Sequence, residues 1–120
     1  MKKILIVDDS LIMRQSIKNK LEELGHTVIG EASTGAEAIK LYDEVEPDIV
    51  TMDITMPHID GIQATQILKN NFPNAKIIMI TSHGQENLVR QAIKAGAKSY
   101  ILKPVTRNKL EQIILKLSKK

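Results

Sequence analysis

Five short apolar runs recur along the chain, and after each one the hydrophobic spacing switches from continuous to helical. The runs lie at 3–8, 27–30, 48–53, 76–81 and 100–102. Their length and their β-branched residues predict strands packed on both faces. The intervening stretches carry apolar residues at helical spacing: Ile17, Leu21 and Leu24, then Ala38, Ile39, Leu41 and Tyr42. The same spacing returns at Ile62, Ala64, Ile67 and Leu68, at Leu88, Val89, Ala92, Ile93 and Ala95, and at Leu110, Ile113, Ile114 and Leu117. Ser10 is placed to cap the first helix, and Thr34 with Glu37 has capping-box spacing for the second. Gly25 and Gly96 stop helices, Pro47 closes another, and Asn70-Asn71-Phe72-Pro73 ends the third. Strict alternation of strand and helix predicts an α/β fold: a doubly wound, five-stranded parallel sheet with helices on both faces. For this element count the commonest strand order is 2-1-3-4-5, which is flavodoxin-like. The first and third strands then flank the switch point, where ligands bind beyond the carboxyl ends of the strands.

The 120 residues are enough for one domain with a real core, expected over 1–120. With one Phe, two Tyr and no Trp, that core must be aliphatic. The absence of cysteine excludes disulfides and thiolate sites. The apolar run after Met1-Lys2-Lys3 halts at Asp8-Asp9, too soon for a secretory signal, and no stretch is long enough to span a membrane. A cytoplasmic protein is expected. The formal charge of +3 has a C-terminal bias, but no aromatic residues interleave with the lysines, so neither nucleic acid nor membrane is an expected partner.

The predicted topology brings distant residues to one edge of the sheet. The first strand ends on Asp8 and Asp9, the third on Asp53, the fourth on Thr81 and Ser82, the fifth on Lys103. Three carboxylates in one pocket raise the cost of ionising one another, so a cationic group belongs there. A divalent ion that prefers oxygen ligands would serve, and Mg²⁺ suits a site with few carboxylates and retained waters. Carboxylates, Mg²⁺, a lysine and a hydroxyl are equipment for handling a phosphoryl group. No Gly-rich phosphate loop of Walker type is present, so a carboxylate is the expected acceptor, forming an aspartyl phosphate on Asp53. Taken singly, each residue has a plainer reading. Asp8-Asp9 could be a helix-start signal, Asp53 a strand-end turn residue, Lys103 a solvated lysine and Tyr100 half-buried packing. His58 and His83 read as surface loop residues.

Asp8-Asp9, Asp53, Met56-Pro57 with Asp60-Gly61, Thr81 and Lys103-Pro104, in that order and spacing, resemble the receiver domain of two-component response regulators. The resemblance covers the whole chain. Asp53-Ile54-Thr55-Met56-Pro57 and Lys94-Ala95-Gly96-Ala97-Lys98 resemble most closely the stand-alone chemotaxis members. The resemblance implies that a sensor histidine kinase phosphorylates Asp53. It implies that Asp9, Asp53 and the backbone carbonyl of Thr55 ligate Mg²⁺ (or Mn²⁺), with Asp8 helping through water. Lys103 would contact the phosphoryl group, and its bond to Pro104 would be cis. Thr81 and Tyr100 would form a switch pair, with Tyr100 turning inward as Thr81 moves toward the phosphoryl oxygen. The face of the fourth helix, fifth strand and fifth helix would then bind a partner. The resemblance also implies that Thr55 and His83 match the two positions that tune phosphoryl lifetime in the family.

The family reading implies a monomeric signalling protein rather than an enzyme, one that catalyses only its own phosphorylation and dephosphorylation. Its expected partners are a histidine kinase, the flagellar motor switch protein or another phospho-dependent target, and a phosphatase. One alternative is a phosphorelay intermediate that passes its phosphate to a histidine phosphotransfer protein. A phosphatase of the haloacid dehalogenase kind also forms an aspartyl phosphate, but it needs a second Asp where this chain has Thr55.

Overall fold

The computed structural model describes residues 1–56, 59–82 and 86–118. The expectations placed on Pro57, His58 and His83 lie outside the described residues. The elements follow in strict alternation: β1 (Lys3–Val7), α1 (Leu11–Glu23), β2 (Thr27–Ala32), α2 (Gly35–Val45), β3 (Ile49–Asp53), α3 (Gly61–Asn71), β4 (Ile77–Thr81), α4 (Glu86–Ala95), β5 (Ser99–Leu102) and α5 (Arg107–Ser118). All neighbouring strands are parallel, in the order β2-β1-β3-β4-β5.

Side-chain alternation splits the core into two layers. On one face Leu5, Val7, Val50, Met52, Ile77 and Met79 pack under α2, α3 and α4 through Ala38, Ala64, Leu68 and Ala92. On the other, Ile4, Ile6, Ile49, Ile78, Ile80 and Ile101 pack under α1 and α5 through Ile17, Leu21, Leu110 and Ile114. The three central strands are covered on both sides, which is why every residue of β3 and β4 is buried and neither strand shows alternation in sequence. The edge strand β5 keeps alternation: Ile101 is buried, while Tyr100 and Leu102 are exposed.

The element ends follow local chemistry. Ser10 caps α1 by accepting the Met13 N–H at 3.2 Å, and Gly25 closes it with φ +89°. At α2 the Thr34 hydroxyl accepts the Glu37 N–H, but the Glu37 carboxylate accepts from Ser33, one residue earlier than a capping box requires. The full box forms at α3 instead, between Asp60 and Gln63. β2 runs on to Ala32, past the expected end at Gly30, because a half-covered edge strand tolerates Glu31, whose charge is met by Arg14.

Candidate functional site

β1 and β3 are hydrogen-bonded neighbours, with Val7 opposite Met52, so the residues just beyond them emerge side by side. Asp8 and Asp53 both continue the face that packs under α1 and α5, and Lys103, one residue past Leu102, returns to that face from β5. Carboxylate oxygens of Asp8, Asp9 and Asp53 lie within 4.8 Å of one another. The Lys103 ammonium sits 3.7 Å from Asp8 Oδ2 and 3.7 Å from Asp53 Oδ1. Asp8 and Asp53 are buried, whereas Asp9 is exposed.

Burial dominates the electrostatics. It pushes the Asp53 carboxyl up to about 6, the negative charge of Asp8 adds to the rise, and Lys103 and the Thr55 N–H oppose it. Burial also raises Asp8, against the Ser10 N–H and Lys103, which favour its ionised form. Asp8 divides its two oxygens. Oδ1 accepts the Ser10 N–H at 2.9 Å, while Oδ2 is buried without a hydrogen-bond donor. An orphaned, buried carboxylate oxygen costs free energy unless a cation meets it. The donors gathered here are all hard oxygens at the mouth of a parallel sheet, which suits a divalent ion such as Mg²⁺ and no soft metal. Asp8 and Asp9 immediately precede α1 and its Ser10 cap, so they stand at the helix start but outside its first turn.

The remaining candidates take definite positions. Thr55 is exposed and its N–H bonds the Asp53 carboxylate. Thr81, at the end of β4, is buried and belongs by alternation to the face of Met79, opposite to that of Asp53. Tyr100 pairs with Met79 in the ladder, so Thr81 and Tyr100 share that face one step apart along the strands. Tyr100 is 41% exposed. The Lys103–Pro104 peptide bond is cis, and the Lys103 N–H donates to the Thr81 carbonyl at 2.8 Å.

Sequence reasoning missed Arg14. Its Nη1 donates to the Asp8 carbonyl at 2.7 Å and its Nε to Glu31 at 3.2 Å, fixing the turn that carries the two aspartates. The only available signal was an arginine one helical turn after the Ser10 cap, which by itself reads as a solvated charge.

The model of the response regulator receiver domain family matches residues 4–115. Among curated relatives, the chemotaxis protein CheY of Thermotoga maritima is 47% identical over 118 residues, spanning 98% of each chain. CheY of Listeria monocytogenes is 46% identical over 119 residues, spanning 99% of this chain and 100% of its own. Among solved structures, the CheX–CheY–BeF3–Mg²⁺ complex of Borrelia burgdorferi superposes with a TM-score of 0.94 at 37% identity, covering 98% of this chain and 90% of that one.

Proposed function

Because this chain belongs to the response regulator receiver domain family, we propose that it is a phosphorylation-dependent signalling switch whose acceptor is Asp53. The observation that carries the reading is one arrangement: three carboxylates within 4.8 Å at the switch point of the sheet, with one lysine 3.7 Å from two of them.

A carboxylate oxygen of Asp53 attacks phosphorus, the new P–O bond forms, and the P–N bond to the phosphohistidine of a sensor kinase breaks as the imidazole leaves with a proton. The nucleophile must be ionised, and a carboxyl that titrates at about 6 is ionised for the most part at neutral pH. Asp9, Asp53 and the Thr55 carbonyl would hold a Mg²⁺ ion, with Asp8 in support. Bound there, the ion would supply positive charge to offset the carboxylates and the incoming phosphoryl group. Lys103 shifts from its carboxylate partners to a phosphoryl oxygen. The Thr81 hydroxyl, which starts on the opposite face, crosses the strand end to reach another. The space it leaves lies on the face of Tyr100, whose outward side chain turns inward to fill it. The transition is a population shift between two states, biased by one charged group.

Several relatives that share nearly the full chain are chemotaxis proteins, which favours chemotaxis as the pathway. The proposed partners are a histidine kinase, the flagellar motor switch and a phosphatase. The Borrelia complex, a CheY held with BeF3, Mg²⁺ and CheX, supports a ligand set of this kind. No helix among the described residues is long and apolar enough to cross a membrane. Incubation with acetyl phosphate and Mg²⁺ should add one phosphoryl mass to the intact wild-type protein and none to Asp53→Asn. An equal mass gain in the variant would refute the assignment.

A further inference from the structure

The phosphoryl-contacting lysine is held by a second lysine that no part of the reading above uses. Lys109, in the first turn of α5, directs its Nζ at two main-chain carbonyls: Leu102 at 3.0 Å and Pro104 at 3.1 Å. These are the residues immediately before and after Lys103. The Lys103 N–H is itself tied to the Thr81 carbonyl at 2.8 Å. The Lys103 backbone is thus gripped on both sides and from the neighbouring strand, leaving its side chain as the part free to move.

Lys109 is in turn placed by fixed points. The Thr106 hydroxyl accepts the Lys109 N–H at 3.2 Å, and Leu110, the next residue, is fully buried in the layer beneath α5. An ammonium offers three donors, and two are spent on these carbonyls. The plainest account of such a contact is general loop stability. The geometry says more, because both acceptors bracket the one residue whose ammonium must sit at a set distance from Asp53. A group held within a fraction of an ångström of its working position is what charge stabilisation of a transferring phosphoryl requires.

We propose that Lys109 is a positioning residue for Lys103, acting through the carbonyls of Leu102 and Pro104 to set where the Lys103 ammonium meets a phosphoryl group. The inference rests on the reading of Asp53 as acceptor. It predicts a split that a loss of stability would not produce. Lys103 is not among the metal-ligating residues, so Lys109→Met should leave Mg²⁺ affinity unchanged. Beryllofluoride binding should weaken about fivefold, roughly the net worth of one hydrogen bond. Lys109→Arg, which keeps the charge and offers paired donors, should restore binding to within about twofold of wild type.

The measurement is a titration of the Mg²⁺-loaded protein with beryllofluoride, followed by ¹⁹F NMR, alongside Mg²⁺ titration and urea unfolding of each variant. Weakened beryllofluoride binding in Lys109→Met at unchanged Mg²⁺ affinity, rescued by Arg, supports the proposal. Wild-type beryllofluoride affinity in Lys109→Met overturns it, as does parallel weakening of Mg²⁺ binding, or weakening that Arg does not rescue. Failure of the wild-type protein to bind beryllofluoride would instead strike at the acceptor reading itself.

Discussion

Two buried oxygens stand out at the residue scale: among the described residues, only Asp8 Oδ2 and Thr51 Oγ1 are buried side-chain polar atoms without a hydrogen-bond partner. They have opposite meanings. Asp8 Oδ2 lies 3.7 Å from the Lys103 ammonium and its carboxylate clusters with those of Asp9 and Asp53, a setting in which positive charge would offset the lost hydrogen bond. Thr51 stands in mid-sheet between Ile6 and Ile78, where no ion has reason to come. Replacing it with the isosteric Val should stabilise the protein by about 1 kcal/mol, read as a higher urea midpoint at unchanged slope. Asp53 gives a pH-dependent counterpart. Its carboxyl is raised from 3.8 to about 6, so the folded state holds that proton more tightly than the unfolded chain. The metal-free protein is therefore at full strength below about pH 4 in this respect, and loses stability as pH rises through about 6. Asp53→Asn should stabilise the metal-free protein by about 2 kcal/mol at pH 7.5 and by almost nothing at pH 4, measured by urea unfolding at both. Such residues were partly legible in sequence. The three aspartates stood out because strand ends place them, but nothing in the string Ile49-Val50-Thr51-Met52 tells a satisfied hydroxyl from an orphan.

The start of α3 is where an element is most tightly bound to the site. The Gly61 N–H donates to the Ile54 carbonyl at 2.8 Å, and a Cβ on Gly61 would run into the carbonyl oxygen of Asp53 itself. The obstacle is backbone, which cannot swing away as a side chain can. Gly61→Ala should cost about 2 kcal/mol of stability, by urea unfolding. It should also disturb the carboxylate cluster, because the helix start meets the backbone of Asp53. In sequence Gly61 stood out only as part of the Asp60-Gly61 motif, since φ there is not positive and the demand comes from a strand eight residues earlier. The capping boxes show the same limit from the other side. Thr34 and Glu37 had the spacing, yet the carboxylate chose Ser33, while Asp60 and Gln63 formed the complete box. Spacing fixes which groups can reach one another, and the entry angle of the chain decides which do.

At the scale of the whole molecule, the order 2-1-3-4-5 was the most legible feature, because alternation, crossover handedness and buried runs leave few alternatives. That order alone brings Asp8, Asp9, Asp53 and Lys103 together. The devices that hold the site, Arg14 on the Asp8 carbonyl and Lys109 beside Lys103, were illegible, since basic side chains bonded to backbone carbonyls leave no motif. Thr81 lay between these cases: its place at the sheet edge was foreseeable, and its face, shared with Tyr100 and opposite to Asp53, follows only from the register. On the proposed reading, a domain built in this way commits one carboxylate to the chemistry and uses the rest of the sheet to hold, charge and read it. The most direct test is to locate the modification. After incubation with acetyl phosphate, borohydride reduction converts an aspartyl phosphate to homoserine, which peptide sequencing by mass spectrometry assigns to a position. The account predicts homoserine at position 53 alone, and only in samples containing Mg²⁺. Homoserine at position 8 or 9, or at 53 equally without the metal, would contradict it.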